Sequence, residues 1–441
     1  MSLLLLAAST LAAAQSAPLA PGAMQVVCAP AAAGQRLMGV LAGPIPLLPL
    51  ARNPAAVLLA LPGDPEAAAA AGIDLAGPMR FRRGGADGDR AQVRLADPAA
   101  GARALTALGL SPTDAPTSAA SSAWALGGGW SARVVGADLV VSRDGAAPAP
   151  RAAAPLLSDR RDEPGCRVTA RVDGEMGGEL GAFLPASTDR PIVLRMEPPQ
   201  APPSTLSRTL GAPVPGTSVA PPFVVVTIGV PLLDLAADLA ARPGSALPVS
   251  PEDLDELSRM LRIEAGVTLA AWLEPGGLSY AASVPISGGR GQDLPTRSLT
   301  RRLKRRLAKE PGLVVYRRGR TALRIEPRGK APIELVVQPD RIVVGSATRA
   351  VTESAQGVGQ PWVGPELAAL AARAPIVLET RMDQTRALHA PPGALRLGLR
   401  SDGPRVELLI DGADHGGMVQ QLMFLAGMAQ RLRRPDGAPT R

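Results

Sequence analysis

Val267–Ile286 reads VTLAAWLEPGGLSYAASVPI, two alternating runs joined by a Pro-Gly-Gly turn. Period-two alternation broken by glycine is the sequence form of a β-hairpin: successive strand side chains point to opposite faces, and glycine supplies the backbone angles of the tight turn. Two more stretches take the same form, MRFRRGGADGDRAQVRLAD from Met79 and ALRLGLRSDGPRVELLID from Ala394. Hairpins of this kind build antiparallel sheets.

Working outward, each hairpin stands in a similar setting. A strand-like stretch comes before each one: NPAAVLLAL at Asn53, RPIVLRM at Arg190 and APIVLETRM at Ala374. Short apolar stretches lead into these, PIPLLPLAR, GELGAFLPA and ELAALAARA, the last with a helical pattern. A helical segment follows each hairpin: PAAGARALTALGL from Pro98, LPTRSLTRRLKRRLAKE from Leu294 and GGMVQQLMFLAGMAQRLRR from Gly416. The first two continue into strand pairs, WSARVVGADLVVS and IELVVQPDRIVVGS, with Asp138 and Asp340 at the turns. The pattern predicts an α+β fold of tandem repeated units, about two and a half copies, with largely antiparallel sheets covered on one face by helices. The predicted boundaries are 21–146 for the first unit, 147–165 for a linker, 166–360 for a second unit with insertions, and 361–441 for a partial third ending in an amphipathic helix. The insertions are the proline-rich Glu197–Pro222 and a helical region holding LLDLAADLAAR and SPEDLDELSRMLRIEAG.

The most charged helical segment is RSLTRRLKRRLAKE from Arg297. Leu299, Leu303 and Leu307 recur every four residues and form one narrow apolar stripe, with Arg301, Arg302, Lys304, Arg305 and Arg306 off it. These five are the candidate residues for an anionic surface, such as lipid head groups or acidic glycans; the plainer reading is a solvated helix face. The net charge of +8 by itself says little about partners. Lys304, Lys309 and Lys330 are the only lysines, so the basicity is an arginine bias, and Asn53 is the sole asparagine. Aromatic residues make up 2% of the chain and do not interleave the basic run, which argues against nucleic acid.

At the N-terminus, an apolar run from Leu3 to Ala14 ends in small residues, the pattern of a secretory signal peptide over residues 1–14, although no Lys or Arg precedes it. The expectation is an exported protein, periplasmic or extracellular and soluble after cleavage. Cys28 and Cys166 are the only cysteines. They either pair in an oxidising compartment or remain two buried thiols.

Catalytic equipment is sparse. His389 and His415 are the only histidines, and His415 has Asp411 and Asp414 near it in DGADHGGM, a cluster that equally suits the capping of a helix. No zinc spacing, complete calcium loop or phosphate-binding signature occurs, so neither metal nor cofactor is expected. In the last helical segment Met418, Leu422, Leu425, Ala429 and Leu432 share one face, a candidate apolar partner surface if it is not core.

The repeated PIVL-type strand, the hairpins and the VVQPDRIVVGS strand pair resemble those of uncharacterised exported bacterial proteins built from tandem α+β domains of unknown function. That resemblance implies no activity and no site residue. The functional expectation is a non-catalytic exported cell-envelope protein, a binding or scaffold protein for a partner or an apolar ligand. The alternatives are a hydrolase using His415 with Asp411 or Asp414, and a peripheral binder of anionic membrane surface through the 297–309 helix.

Overall fold

The computed structural model describes residues 23–34, 64–84, 89–107, 121–143, 162–172, 178–187, 190–197, 204–207, 211–235, 262–274, 277–287, 296–381 and 393–412, with a few single positions between them. The stretches read above as signal peptide, as PIPLLPLAR and NPAAVLLAL and as the centre of the GGADGD turn lie outside these residues. So do most of the helical insertion, His389, Asp414, His415 and the Met418–Leu432 face.

Two compact units divide the chain, residues 1–200 with 413–441, and residues 201–412. Unit 1 contains β1 (Met24–Ala29), β2 (Met79–Arg83), β3 (Arg90–Arg94), β4 (Ser121–Gly127), β5 (Trp130–Val135), β6 (Asp138–Arg143), β7 (Gly165–Val172), β8 (Gly178–Pro185) and β9 (Ile192–Met196). Its antiparallel pairings run β4, β5, β6, β3, β2, β1, β7, β8, β9.

Unit 2 contains β10 (Thr217–Ser218), β11 (Val224–Ile228), β12 (Arg262–Ile263), β13 (Val267–Glu274), β14 (Gly277–Ser287), β15 (Leu313–Arg317), β16 (Ala322–Pro327), β17 (Ile333–Val337), β18 (Arg341–Gly345), β19 (Gln360–Pro361), β20 (Ile376–Arg381), β21 (Ala394–Asp402) and β22 (Arg405–Gly412). Here the pairings run β15, β16, β17, β18, β14, β13, β11, β20, β21, β22, all antiparallel. Among the described residues the order is that of unit 1 with β15 added at one end. In both, a hairpin (β2–β3 or β13–β14) is flanked on one side by a later meander and on the other by the unit's early strand, which in turn holds a three-strand run.

The fold class is therefore mostly β, which corrects the expected α+β architecture with helices covering one face of each sheet. The reason is dimensional. Among the described residues the α-helices include Pro65–Ala70, Pro98–Ala107, Thr296–Leu307, Thr348–Gln356 and Pro365–Ala371. The longest, at 12 residues, spans about 18 Å, whereas ten strands about 4.8 Å apart spread over roughly 45 Å. Each helix can sit only on a few strands. In addition, the apolar stretch ahead of RPIVLRM, whose counterpart ELAALAARA has the helical pattern, is strand β8. It pairs on both sides, with β7 and β9.

Inside unit 1, Val26 and Cys28 of β1 share a buried sheet face with Met79 and Phe81 of β2. Cys28 stands directly opposite Cys166 of β7, and the two are joined as a disulfide. Unit 2 closes differently. Leu299 and Leu303 of the Thr296–Leu307 helix enter a buried cluster with Ile286, Leu323, Ile325, Leu335, Val337 and Ile342. Burying each such leucine contributes about 1.5–3 kcal/mol relative to exposure. Elsewhere in this unit Trp272 and Trp362 meet edge to face, ring centroids 5.5 Å apart, and Trp362 is fully buried. Gly345 of β18 has no room for a side chain, since a Cβ there would lie 2.1 Å from the Tyr280 carbonyl oxygen.

Candidate functional site

The apolar stripe of the Thr296–Leu307 helix fixes which way its charges face. With Leu299, Thr300 and Leu303 buried against the sheet, the residues one helical step to the side stand over the outer strands β15 and β16. Thr300 donates its hydroxyl hydrogen to the Thr296 carbonyl at 2.7 Å, keeping that polar group satisfied inside the helix. Along this flank Arg301, Lys304 and Arg305 border a cavity of about 350 Å³. Arg317 of β15 borders it from the sheet, and Leu323, Ala308 and Thr300 are the other described residues of its lining.

Four cations thus converge on a partly apolar hollow. None of the four has a carboxylate partner among the described residues. Arg317 donates from Nε to the Gly319 carbonyl at 2.7 Å and from Nη2 to the Arg320 carbonyl at 3.3 Å. Arg301 donates from Nε to the Arg297 carbonyl at 3.4 Å. Backbone carbonyls orient a guanidinium without cancelling its charge, so the hollow keeps its positive field. Such a site can receive an anionic group and pack the atoms behind it against Leu323 and Ala308.

Of the five basic residues singled out from the sequence, the structure brings Arg301, Lys304 and Arg305 into this cavity. Arg302 is exposed and lies outside the lining. Arg306 turns to Glu310, Nη1 to Oε1 2.6 Å. Arg317 was not foreseen. Its arginine-rich surroundings gave a weak signal, but only the register that sets it opposite Leu323 places it here.

A second charged group lies on β20–β22. Glu379, Arg396 and Asp411 form one cross-strand row. Arg381 donates from Nε to Glu379 Oε1 at 2.7 Å. Arg396 lies 3.6 Å from Glu379, 3.7 Å from Glu366 and 3.9 Å from Asp411. Asp411, the described member of the His415 cluster, is thus tied into a row of paired charges. This arrangement holds strands together and leaves little field for a ligand.

Near the β13–β14 turn the sheet face that carries the basic helix bears exposed apolar side chains. Leu269, Leu273, Leu278 and Tyr280 follow the same face of the hairpin, with Leu273 opposite Leu278. No helix among the described residues is long and apolar enough to cross a membrane.

No protein-family model matches the chain, and no curated protein matches it. Among solved structures, crystal form III of TP0453 aligns with 46% of this chain and 95% of its own at 10% identity, with a TM-score of 0.28. Crystal form I of TP0453 aligns with 52% of this chain and 99% of its own, again at 10% identity, with a TM-score of 0.26. At these scores the likeness carries no argument about fold or function.

Proposed function

We propose that the chain is an exported, non-catalytic binding protein that holds a partner through an anionic group received between the Thr296–Leu307 helix and β15. The observation that carries this reading is the convergence of Arg301, Lys304, Arg305 and Arg317 on one hollow with no carboxylate among its described lining residues. Cations gathered around one hollow repel one another, and an entering anion relieves that repulsion. The Cys28–Cys166 bond supports an oxidising compartment. The shared pairing order of the two units supports an origin by duplication, with the binding chemistry added to the second copy.

The test compares retention of a fluorescent poly-glutamate probe by the full chain, by a variant with Arg301, Arg302, Arg305 and Arg306 changed to Gln, and by one with Arg301, Lys304, Arg305 and Arg317 changed to Gln. Both remove four charges. The reading expects the cavity variant to lose at least tenfold more affinity than the helix variant, which keeps Lys304 and Arg317. Equal losses would sink it.

A second reading, peripheral binding to anionic membrane, is favoured by the exposed Leu273, Leu278 and Tyr280 on the helix-bearing sheet face. It expects sedimentation with phosphatidylglycerol vesicles, reduced when Leu273 and Leu278 are changed to Ser. Indifference to those changes removes it.

A further inference from the structure

Among the described residues β15 is the strand that unit 2 has beyond the pairing order of unit 1, and it pairs only with β16. Its register shows which backbone groups that pairing uses. The Arg318 N–H donates to the Ala322 carbonyl and the Arg328 N–H to the Gly312 carbonyl. In an antiparallel ladder the bonded pairs alternate, so the even positions Val314 and Tyr316 bond to β16. The N–H and C=O groups of Val315, and the N–H of Arg317, then point to the opposite edge, which no described strand pairs with. An exposed edge of this kind is a template for another strand.

The side chains along the edge are sorted by face. Arg317 faces the cavity with Arg301, Lys304 and Arg305. Val314 and Tyr316, 52% and 49% exposed, stand on the other face. Alternation makes the match for this edge specific: a strand laid beside β15 turns every second side chain toward the cations and the intervening ones toward Val314 and Tyr316.

We infer that β15 accepts an extended segment of a partner protein by strand addition, the segment alternating acidic and apolar residues, with an acidic side chain seated in the cavity. This rests on the proposed anion-receiving role of the cavity and names the carrier of the anion. Main-chain bonds to Val315 and Arg317 give affinity, and the cavity and the Val314–Tyr316 surface give selectivity.

The experiment uses the full chain and an acetylated, amidated hexapeptide alternating glutamate with valine, with an otherwise identical peptide carrying glutamine for glutamate as control. Binding is followed by titration and by amide hydrogen exchange. The acidic peptide is expected to bind at least tenfold more tightly than the control and to slow exchange at Val315 and Arg317, while Val314 and Tyr316, already bonded within the sheet, change little. Val315→Pro removes an outward N–H without touching a bond to β16 and should weaken binding at least tenfold. Tyr316→Ser, a milder change on the exposed face, should weaken it a few-fold. If the acidic peptide binds but exchange at Val315 and Arg317 is unaltered and Val315→Pro binds as well as the parent, strand addition is wrong while the cavity reading survives. If poly-glutamate retention also ignores the cavity variant, both fall. Binding of phosphatidylglycerol vesicles with no binding of the peptide overturns the inference in favour of a membrane.

Discussion

The two units share a pairing order and secure it by opposite means. In unit 1 the early strand β1 is fastened to β7 covalently, through Cys28 and Cys166. The corresponding strands of unit 2, β11 and β20, meet through aliphatic pairs such as Ile228 with Ile376 and Val226 with Leu378, and a buried tryptophan pair packs elsewhere in the unit. The helices that follow the hairpins differ as much. Pro98–Ala107 carries one arginine, Arg103, which bonds Asp97 at 3.3 Å. Thr296–Leu307 carries six basic residues, three of them on the cavity. One sheet plan thus tolerates exchange of its fastening and of its outer charges, because the ladder bonds are made by the backbone and only the buried face restricts the side chains. Chemistry free to vary accumulates at the end strands and on the helix, where the proposed site lies.

The comparison can be broken most forcefully at the fastenings. Trp362→Ala should cost unit 2 about 3–5 kcal/mol, the usual loss for a large aromatic removed from a packed core, and hydrogen exchange should quicken in β13 while β1 and β7 keep their protection. Reduction, or joint replacement of Cys28 and Cys166 by Ser, should cost unit 1 about 2–5 kcal/mol, with the order of the two effects reversed in the same exchange map. If either change loosened both units equally, the division into separately secured units would be wrong.

A smaller effect concerns Glu353. Its Oε2 accepts the Val219 N–H at 2.9 Å and its Oε1 the Arg349 Nε–H at 2.7 Å, and these contacts, the backbone bond foremost, hold its carboxyl below the ordinary glutamate range. A depressed folded-state pKa means that the contribution is complete at neutral pH and fades as pH falls through the ordinary range toward the folded value. Glu353→Gln should therefore cost about 1 kcal/mol at pH 7 and nothing at a pH low enough to protonate the parent. Denaturant midpoints at both pH values check this. Least of all, changing Arg301, Lys304, Arg305 and Arg317 to Gln should alter stability by no more than about 0.5 kcal/mol, since the positions are largely solvated; a large loss in urea titration would make them structural and end the comparison of a bare helix with a binding one.

Much of the local structure of both units was legible in the sequence. The three hairpins, β2–β3 in unit 1 and β13–β14 and β21–β22 in unit 2, form where alternation and glycine placed them, and the leucine stripe of Thr296–Leu307 identified both the helix and its buried side. The identical tetrapeptide PIVL misled. Its proline leads into β9 and into β20, which open on Ile-Val-Leu and hold different places in their pairing orders, because any half-buried strand is free to use the same residues. The site was half legible: its helix cations could be named, but Arg317 could not, and Arg302 and Arg306 were indistinguishable from their cavity-facing neighbours.

The local elements could be read from the chain alone, since strand alternation and helical stripes are set by backbone geometry over a few residues. So could the fact that an uncommonly arginine-rich helix would keep its charges off the core. That β1 lies between β2 and β7, that Cys28 stands opposite a cysteine 138 residues away, and that Arg317 meets the helix flank emerge from long-range packing. Those choices depend on which remote strands share a register, and register is fixed by the summed burial of whole sheet faces, which no short stretch contains.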